Sequence, residues 1–153
     1  MILYEEVADF PVFADFTREQ VDQLLLCATE TQYEKGSVLI RESGTSSDVY
    51  VVMDGRVDVE IQSYARSPLN RGNKRLALLR AGDIVGEMSY IEQRRRAAKV
   101  SAFDDVRVLC IAKEDLDVLF EREPQLGFLF MRNIARIISQ RLTELNFLWR
   151  DDV

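Results

Sequence analysis

The residues best able to do chemistry lie in one short stretch. It runs Ala81-Gly82-Asp83-Ile84-Val85-Gly86-Glu87-Met88-Ser89-Tyr90-Ile91-Glu92-Gln93-Arg94-Arg95-Arg96-Ala97-Ala98-Lys99-Val100-Ser101-Ala102. Gly86-Glu87 falls at a strand end, and Glu87 to Ile91 reads as one turn of helix. Backbone N–H groups at a helix start lack partners and can bind an anion. Gly86 has no side chain, so a ligand can come close to the backbone. Three arginines, Arg94 to Arg96, follow in the same connection. A short loop can fold at least one guanidinium back to the helix start, where its fork would donate two parallel hydrogen bonds to a phosphate. Glu87 would repel a phosphate and needs another task. Accepting from a hydroxyl beside the phosphate, as in a ribose, is one. Glycine, acid and arginine together point to a sugar phosphate. The alternative is a solvated connection that carries a chance run of charge.

Composition narrows the remaining options. The chain of 153 residues has the length of about one domain. It is 47% hydrophobic and 30% charged, as expected of a globular protein. The formal net charge of -6 disfavours general binding to nucleic-acid backbones. There is no histidine, which excludes Ser-His-Asp and Cys-His catalysis and histidine-ligated zinc or iron. It also argues against a metal-dependent cupin. The two cysteines, Cys27 and Cys110, each sit in an apolar run without a CxxC neighbour. They read as buried, reduced thiols in a cytoplasmic protein. The N-terminal residues lack the pattern of a signal peptide, and no apolar run reaches the roughly 20 residues that span a bilayer.

The elements around the stretch follow from pattern. Thr17-Arg18-Glu19-Gln20 reads as a capping box that opens a helix to about Ala28, with Phe16 and Val21 placed as a hydrophobic staple. Period two then takes over. Ser37 to Arg41, Asp48 to Met53, and Val57, Val59 and Ile61 read as strands. Asp54-Gly55 reads as a two-residue hairpin with positive φ at both positions. Ser63 to Arg75 reads as a basic loop carrying Arg66, Arg71, Lys74 and Arg75. Strands resume at Leu76 to Leu79, Lys99 to Phe103 and Val106 to Ala112, with Asp104-Asp105 as a turn. Seven or eight short strands suggest an antiparallel barrel, roll or sandwich. Lys113 to Arg122 and Pro124 to about Trp149 read as helices. The last has two apolar stripes. Met131, Ala135, Ile138, Leu142, Leu145 and Trp149 form a near-heptad seam, and Phe130, Ile134 and Ile137 form the other. One stripe can pack on the strands. The other predicts a homodimer partner, since it would otherwise leave an exposed apolar patch.

The stretch resembles the phosphate-binding cassette of cyclic-nucleotide-binding domains, the family of the catabolite activator protein and the regulatory subunit of cAMP-dependent protein kinase. The matching residues are Gly86-Glu87-Met88-Ser89-Tyr90 and Arg96-Ala97-Ala98-Lys99-Val100-Ser101-Ala102. The interval from Glu87 to Arg96 matches the kinase branch without a gap, and it singles out Arg96 among the arginines. The leading helix, Gly36, Gly44 and Gly55, and the two trailing helices fall in the family's order.

The resemblance implies a mainly β fold, a double-stranded β-helix (jelly-roll-like β-roll) over about residues 30–112. An N-terminal helix precedes it, and two helices follow over about 113–149, in one domain over 1–153. It implies that Glu87 accepts from the ribose 2′-hydroxyl and that Arg96 pairs with the cyclic phosphate. Amides of Met88, Ser89 and Ala97 would complete the phosphate contacts, beside Gly86 and Ala98, with Val85 and Val100 lining the ribose and base pocket. Ser139, Arg141 and Thr143 could contact the base edge, and Trp149 could stack over it. Ala97 leans toward cAMP, since cGMP binders often carry Thr or Ser there.

The sequence departs from the family at Ser89, where Ala or Gly is usual, and at Arg95, a frequent proline. Tyr90 replaces the usual Leu and is expected to reshape the pocket floor. The expected function is a receptor with no chemistry of its own, signalling by movement of its last helix to an unknown effector protein or within a homodimer. No DNA-binding domain and no membrane segment are expected. The competing reading is an interaction scaffold that no longer binds nucleotide, but Glu87 and Arg96 both remain.

Overall fold

The computed structural model describes residues 1–62 and 73–151. Helix α1 (Tyr4–Val7) and a 3-10 turn (Pro11–Phe13) lead into α2 (Arg18–Leu26). The predicted capping box is formed: Gln20 N donates to Thr17 Oγ1 at 3.1 Å, and Thr17 N donates to Gln20 Oε1 at 2.9 Å. The strands are β1 (Ala28–Tyr33), β2 (Val38–Ile40), β3 (Val49–Asp54), β4 (Val57–Gln62), β5 (Asn73–Leu79), β6 (Ile84–Val85), β7 (Lys99–Ala102) and β8 (Val106–Ile111). Helix α3 (Glu87–Glu92) interrupts them after β6, and α4 (Lys113–Arg122) and α5 (Pro124–Asp151) follow.

Among the described residues the strands form two four-stranded antiparallel sheets, ordered β1-β8-β3-β6 and β2-β7-β4-β5. This is a β-sheet sandwich with flanking helices. Strand β3 shows how the layers stack. Val49, Val51 and Met53 enter a core shared with the helices, while Tyr50 and Val52 enter a second core between the sheets. The run Val49-Tyr50-Val51-Val52-Met53 is therefore apolar throughout, because both faces are covered.

Several sequence expectations change here. Cys27 and Cys110, read as buried, are only partly buried, and α2 stops at Leu26, so that Ala28 opens β1. Asp54-Gly55 does not close a hairpin. β3 and β4 lie in different sheets, so the dipeptide is a corner that carries the chain from one layer to the other. Of the two, Gly55 alone has positive φ, and a Cβ there would stand 2.4 Å from the Asp105 carbonyl oxygen. The predicted basic loop also ends earlier than expected, since Lys74 and Arg75 already belong to β5. Arg66 and Arg71 lie outside the described residues.

Helix α5 docks by one stripe. Phe130 and Ile134 are fully buried in the helical core, with Ile137 partly buried against it; Ile138, read as part of the other stripe, packs there too. Buried Asn133 fixes the same face by donating from Nδ2 to the Val12 and Ala14 carbonyls, each at 2.9 Å. On the other stripe Met131, Leu142 and Leu145 remain exposed. No helix among the described residues is long and apolar enough to cross a membrane.

Candidate nucleotide-phosphate site

Strand β6 ends at Val85, and Gly86 turns the chain into α3 with φ of +85°. A Cβ at this position would stand 2.6 Å from Arg96 Nη1 and 2.9 Å from the Asp48 carbonyl oxygen. Glycine is therefore required twice, by conformation and by the guanidinium wedged against it.

Arg96 is 4% exposed. Its backbone is held by the turn before β3: Arg96 N donates to Gly44 O at 2.9 Å, and Ser43 N donates to Arg96 O at 2.8 Å. Its Nη1 donates to Gly86 O at 2.9 Å, and Nη2 donates to Asp48 O at 2.7 Å and Ser46 Oγ at 3.2 Å. Of the five guanidinium protons three are thus used. The buried Nε–H finds no acceptor among the described residues. Burial works against the guanidinium charge, and nearby Tyr50 and Asp48 work for it.

Glu87 is 5% exposed. Burial pushes its carboxyl above the usual carboxylate range, opposed by Arg141, by its own amide and by Arg96. Arg141 reaches in from α5, donating from Nη1 to Glu87 Oε1 at 3.0 Å and from Nη2 to Ile84 O at 2.9 Å.

These groups surround one cavity of about 160 Å³. Val85, Gly86, Glu87, Met88, Ser89, Arg96, Ala97, Ala98 and Val100 line it, and so does Arg141. Ile40, Val59, Ala77 and Leu79 supply an apolar wall that the sequence had indicated only as strand hydrophobics. The chemistry is divided: carboxylate, guanidinium and helix-start amides at one end, aliphatic surface at the other.

The chain belongs to the cyclic nucleotide-binding domain family. The family's model matches residues 30–123, more than half of the sequence. The cyclic AMP receptor protein of Thermus thermophilus is 29% identical over 134 residues, covering 88% of this chain and 58% of that protein. The cGMP-dependent 3′,5′-cGMP phosphodiesterase A of Dictyostelium discoideum is 33% identical over 109 residues, covering 71% of this chain and 11% of that one. A crystal structure of a cyclic nucleotide-binding domain from Methylobacillus flagellatus superposes with a TM-score of 0.82 at 23% identity, covering 92% of this chain and 79% of that one. That likeness is one of fold. The cyclic nucleotide-binding fold accounts for the sandwich order and for the short helix α3 between β6 and β7.

The remaining candidates fall elsewhere. Ser139 and Thr143 do not line the cavity. Both are exposed, and the Thr143 hydroxyl donates to Ser139 O at 3.0 Å within the helix. The side chain of Trp149 lies outside the described residues. Tyr90 does not form the pocket floor either. It packs against the helical core, and its hydroxyl donates to Asp117 Oδ1 at 3.1 Å on α4. Ser46 and Asp48, which hold Arg96, were missed in the sequence. The turn-forming run Gly44-Thr45-Ser46-Ser47-Asp48 was the available signal.

Proposed function

We propose that this domain is a receptor for cAMP that signals through α5, and that it does no chemistry of its own. The observation that carries the reading is the convergence of Glu87 and Arg96 on one cavity without bonding to each other. Glu87 would accept from the ribose 2′-hydroxyl. Arg96 Nε, with the amides of Met88, Ser89 and Ala97, would hold the cyclic phosphate. At about 160 Å³ the cavity is smaller than the roughly 300–1,000 Å³ of whole small-molecule sites. Its polar end suits the ribose and ring phosphate, with the base laid along the aliphatic wall toward the mouth.

The aliphatic wall favours the base with the fewest polar groups to desolvate, and adenine carries fewer than guanine. Ala97 adds no hydroxyl for guanine. The relatives named above include both a cAMP receptor and a cGMP-dependent enzyme, so adenine is a choice made on the wall. Signalling would pass through Arg141. It ties α5 to the carboxylate that the ribose would use, so ligand and helix meet at one group. A coupling of about 1–3 kcal/mol is enough for a sensor. The receiver is a second copy docked on the exposed Met131, Leu142 and Leu145 stripe, or an effector protein.

Calorimetric titration with cAMP and cGMP, read in parallel by the fluorescence of Trp149, tests the reading. Saturable heat with cAMP and at least tenfold weaker binding of cGMP are expected. Heat with neither nucleotide would leave the scaffold reading in place.

A further inference from the structure

Helix α3 carries Glu87, Met88 and Ser89 to the cavity, yet it is only six residues long. Isolated helices of that length do not hold in water, so its place depends on its anchors. Both of its ends are corners: Gly86 and Gln93 have positive φ, +85° and +55°. One anchor is Arg141 of α5, but it ends on the Glu87 carboxylate that the ribose would use. The other anchor uses no atom that lines the cavity. The Tyr90 ring packs against the helical core, and its hydroxyl donates to Asp117 Oδ1 of α4 at 3.1 Å. Burial, and then Asp117, push the phenol well above its ordinary value of 10.0, so it remains a donor. Asp117 is itself held, since its second oxygen accepts from Lys113 Nζ. Lys113 N donates to Asp48 Oδ1 at 3.4 Å, and Asp48 O accepts from Arg96 Nη2 at 2.7 Å. The first turns of α4 therefore brace both sides of the site, α3 through Tyr90 and Arg96 through Asp48.

We infer that Tyr90 and Asp117 are positioning residues for the bound nucleotide: their hydrogen bond fixes α3, and with it Glu87, relative to Arg96 from outside the cavity. The inference rests on the cyclic nucleotide reading above. The Leu usual at this position in the family offers packing alone, so the bond belongs to this sequence. Because it stays in place when the ribose takes up Glu87, it is the anchor that remains with ligand bound. Its loss misplaces α3 after encounter, and so shows in the dissociation rate rather than the association rate.

The experiment follows cAMP binding by calorimetry and stopped flow in wild type, Tyr90→Phe, Asp117→Ala, their double variant and Asp117→Asn, with hydrogen exchange of the nucleotide-free proteins. Tyr90→Phe keeps the ring and removes only the hydroxyl. Its affinity falls roughly three- to tenfold, the size of one hydrogen bond, with the association rate nearly unchanged. Amide exchange in α3 rises by a similar factor while exchange in α5 holds. Asp117→Ala loses as much, and the double variant loses no more than either single one. Asp117→Asn keeps an oxygen for the phenol while dropping the charge that Lys113 pairs with, and its affinity stays within about twofold of wild type. If wild type binds cAMP and Tyr90→Phe binds it equally, the bond has no positioning role. Additive losses in the double variant overturn it too, and so does exchange raised throughout the protein, which marks general loosening. If wild type itself binds no cyclic nucleotide, the receptor reading fails and this inference with it.

Discussion

Two buried polar residues, Asn133 and Arg96, show how the two halves of the molecule differ. Asn133 lies 1% exposed at the junction of α5 with the 3-10 turn, and both bonds from its amide nitrogen end on carbonyls of that turn. Arg96 lies 4% exposed beside the inter-sheet core, yet its Nε is left over after three bonds are made. The first closes a structural joint. The second is positioned by the protein and left incomplete. Buried polar groups are normally fully bonded; Arg132 Nε is unbonded too, but of the two arginines only Arg96 lines the cavity.

The contrast can be broken at either side. The largest effect is expected from Arg96→Ala, which should weaken cAMP binding more than 100-fold, about 3 kcal/mol. The same variant should fold. Calorimetry and a thermal melt on one preparation check both halves of the statement. Asn133→Ala should do the reverse. It leaves the buried Val12 carbonyl and the half-buried Ala14 carbonyl without that donor and should cost about 2–3 kcal/mol in urea denaturation, with cAMP affinity in the folded protein changed less than threefold. A large affinity loss in that variant would erase the distinction.

Glu87→Gln sharpens the comparison. It should weaken cAMP binding about tenfold, by trading a charge-assisted acceptor for a neutral one. Its effect on stability has a definite sign. Burial raises the Glu87 carboxyl above its ordinary value of 4.5, so the folded chain holds that proton more tightly than the unfolded chain. This contribution is full at low pH and is lost as pH rises through the raised value. Glutamine cannot lose the proton. The variant should therefore gain stability relative to wild type from about pH 4.5 upward, read as diverging urea midpoints between pH 4 and pH 8. Parallel midpoints would mean that Arg141 offsets the burial completely.

Much of the local structure was legible because local rules wrote it. The Thr17 capping box, helices α4 and α5, and the interval from Glu87 to Arg96 depend on neighbours in sequence. Sheet membership was not. Period two tells which face a residue takes but not which strand lies beside it, so the corner at Asp54-Gly55 read as a hairpin. Arg141 bonds a residue 54 positions away, and it was named only as one of several candidates on α5. Helix geometry explains why two of the others do not share its place. Residues two apart point about 200° away from each other, so a helix that turns Arg141 inward turns Ser139 and Thr143 outward. Ser89 was visible only as a departure from the family's usual Ala or Gly. That it lines the cavity needed the fold.

Among the described residues, strand β5 forms one margin of its sheet, with β4 on one side only. Leu76 and Leu78 on it are exposed. Lys74 and Arg75 sit at its start, also exposed. Charges on such a margin deter edge-to-edge stacking between copies. Arg75 also pairs with buried Asp58 on β4, so the charge that guards this margin is that of Lys74, and exchanging Lys74 for an aliphatic side chain would make the margin a better template for aggregation.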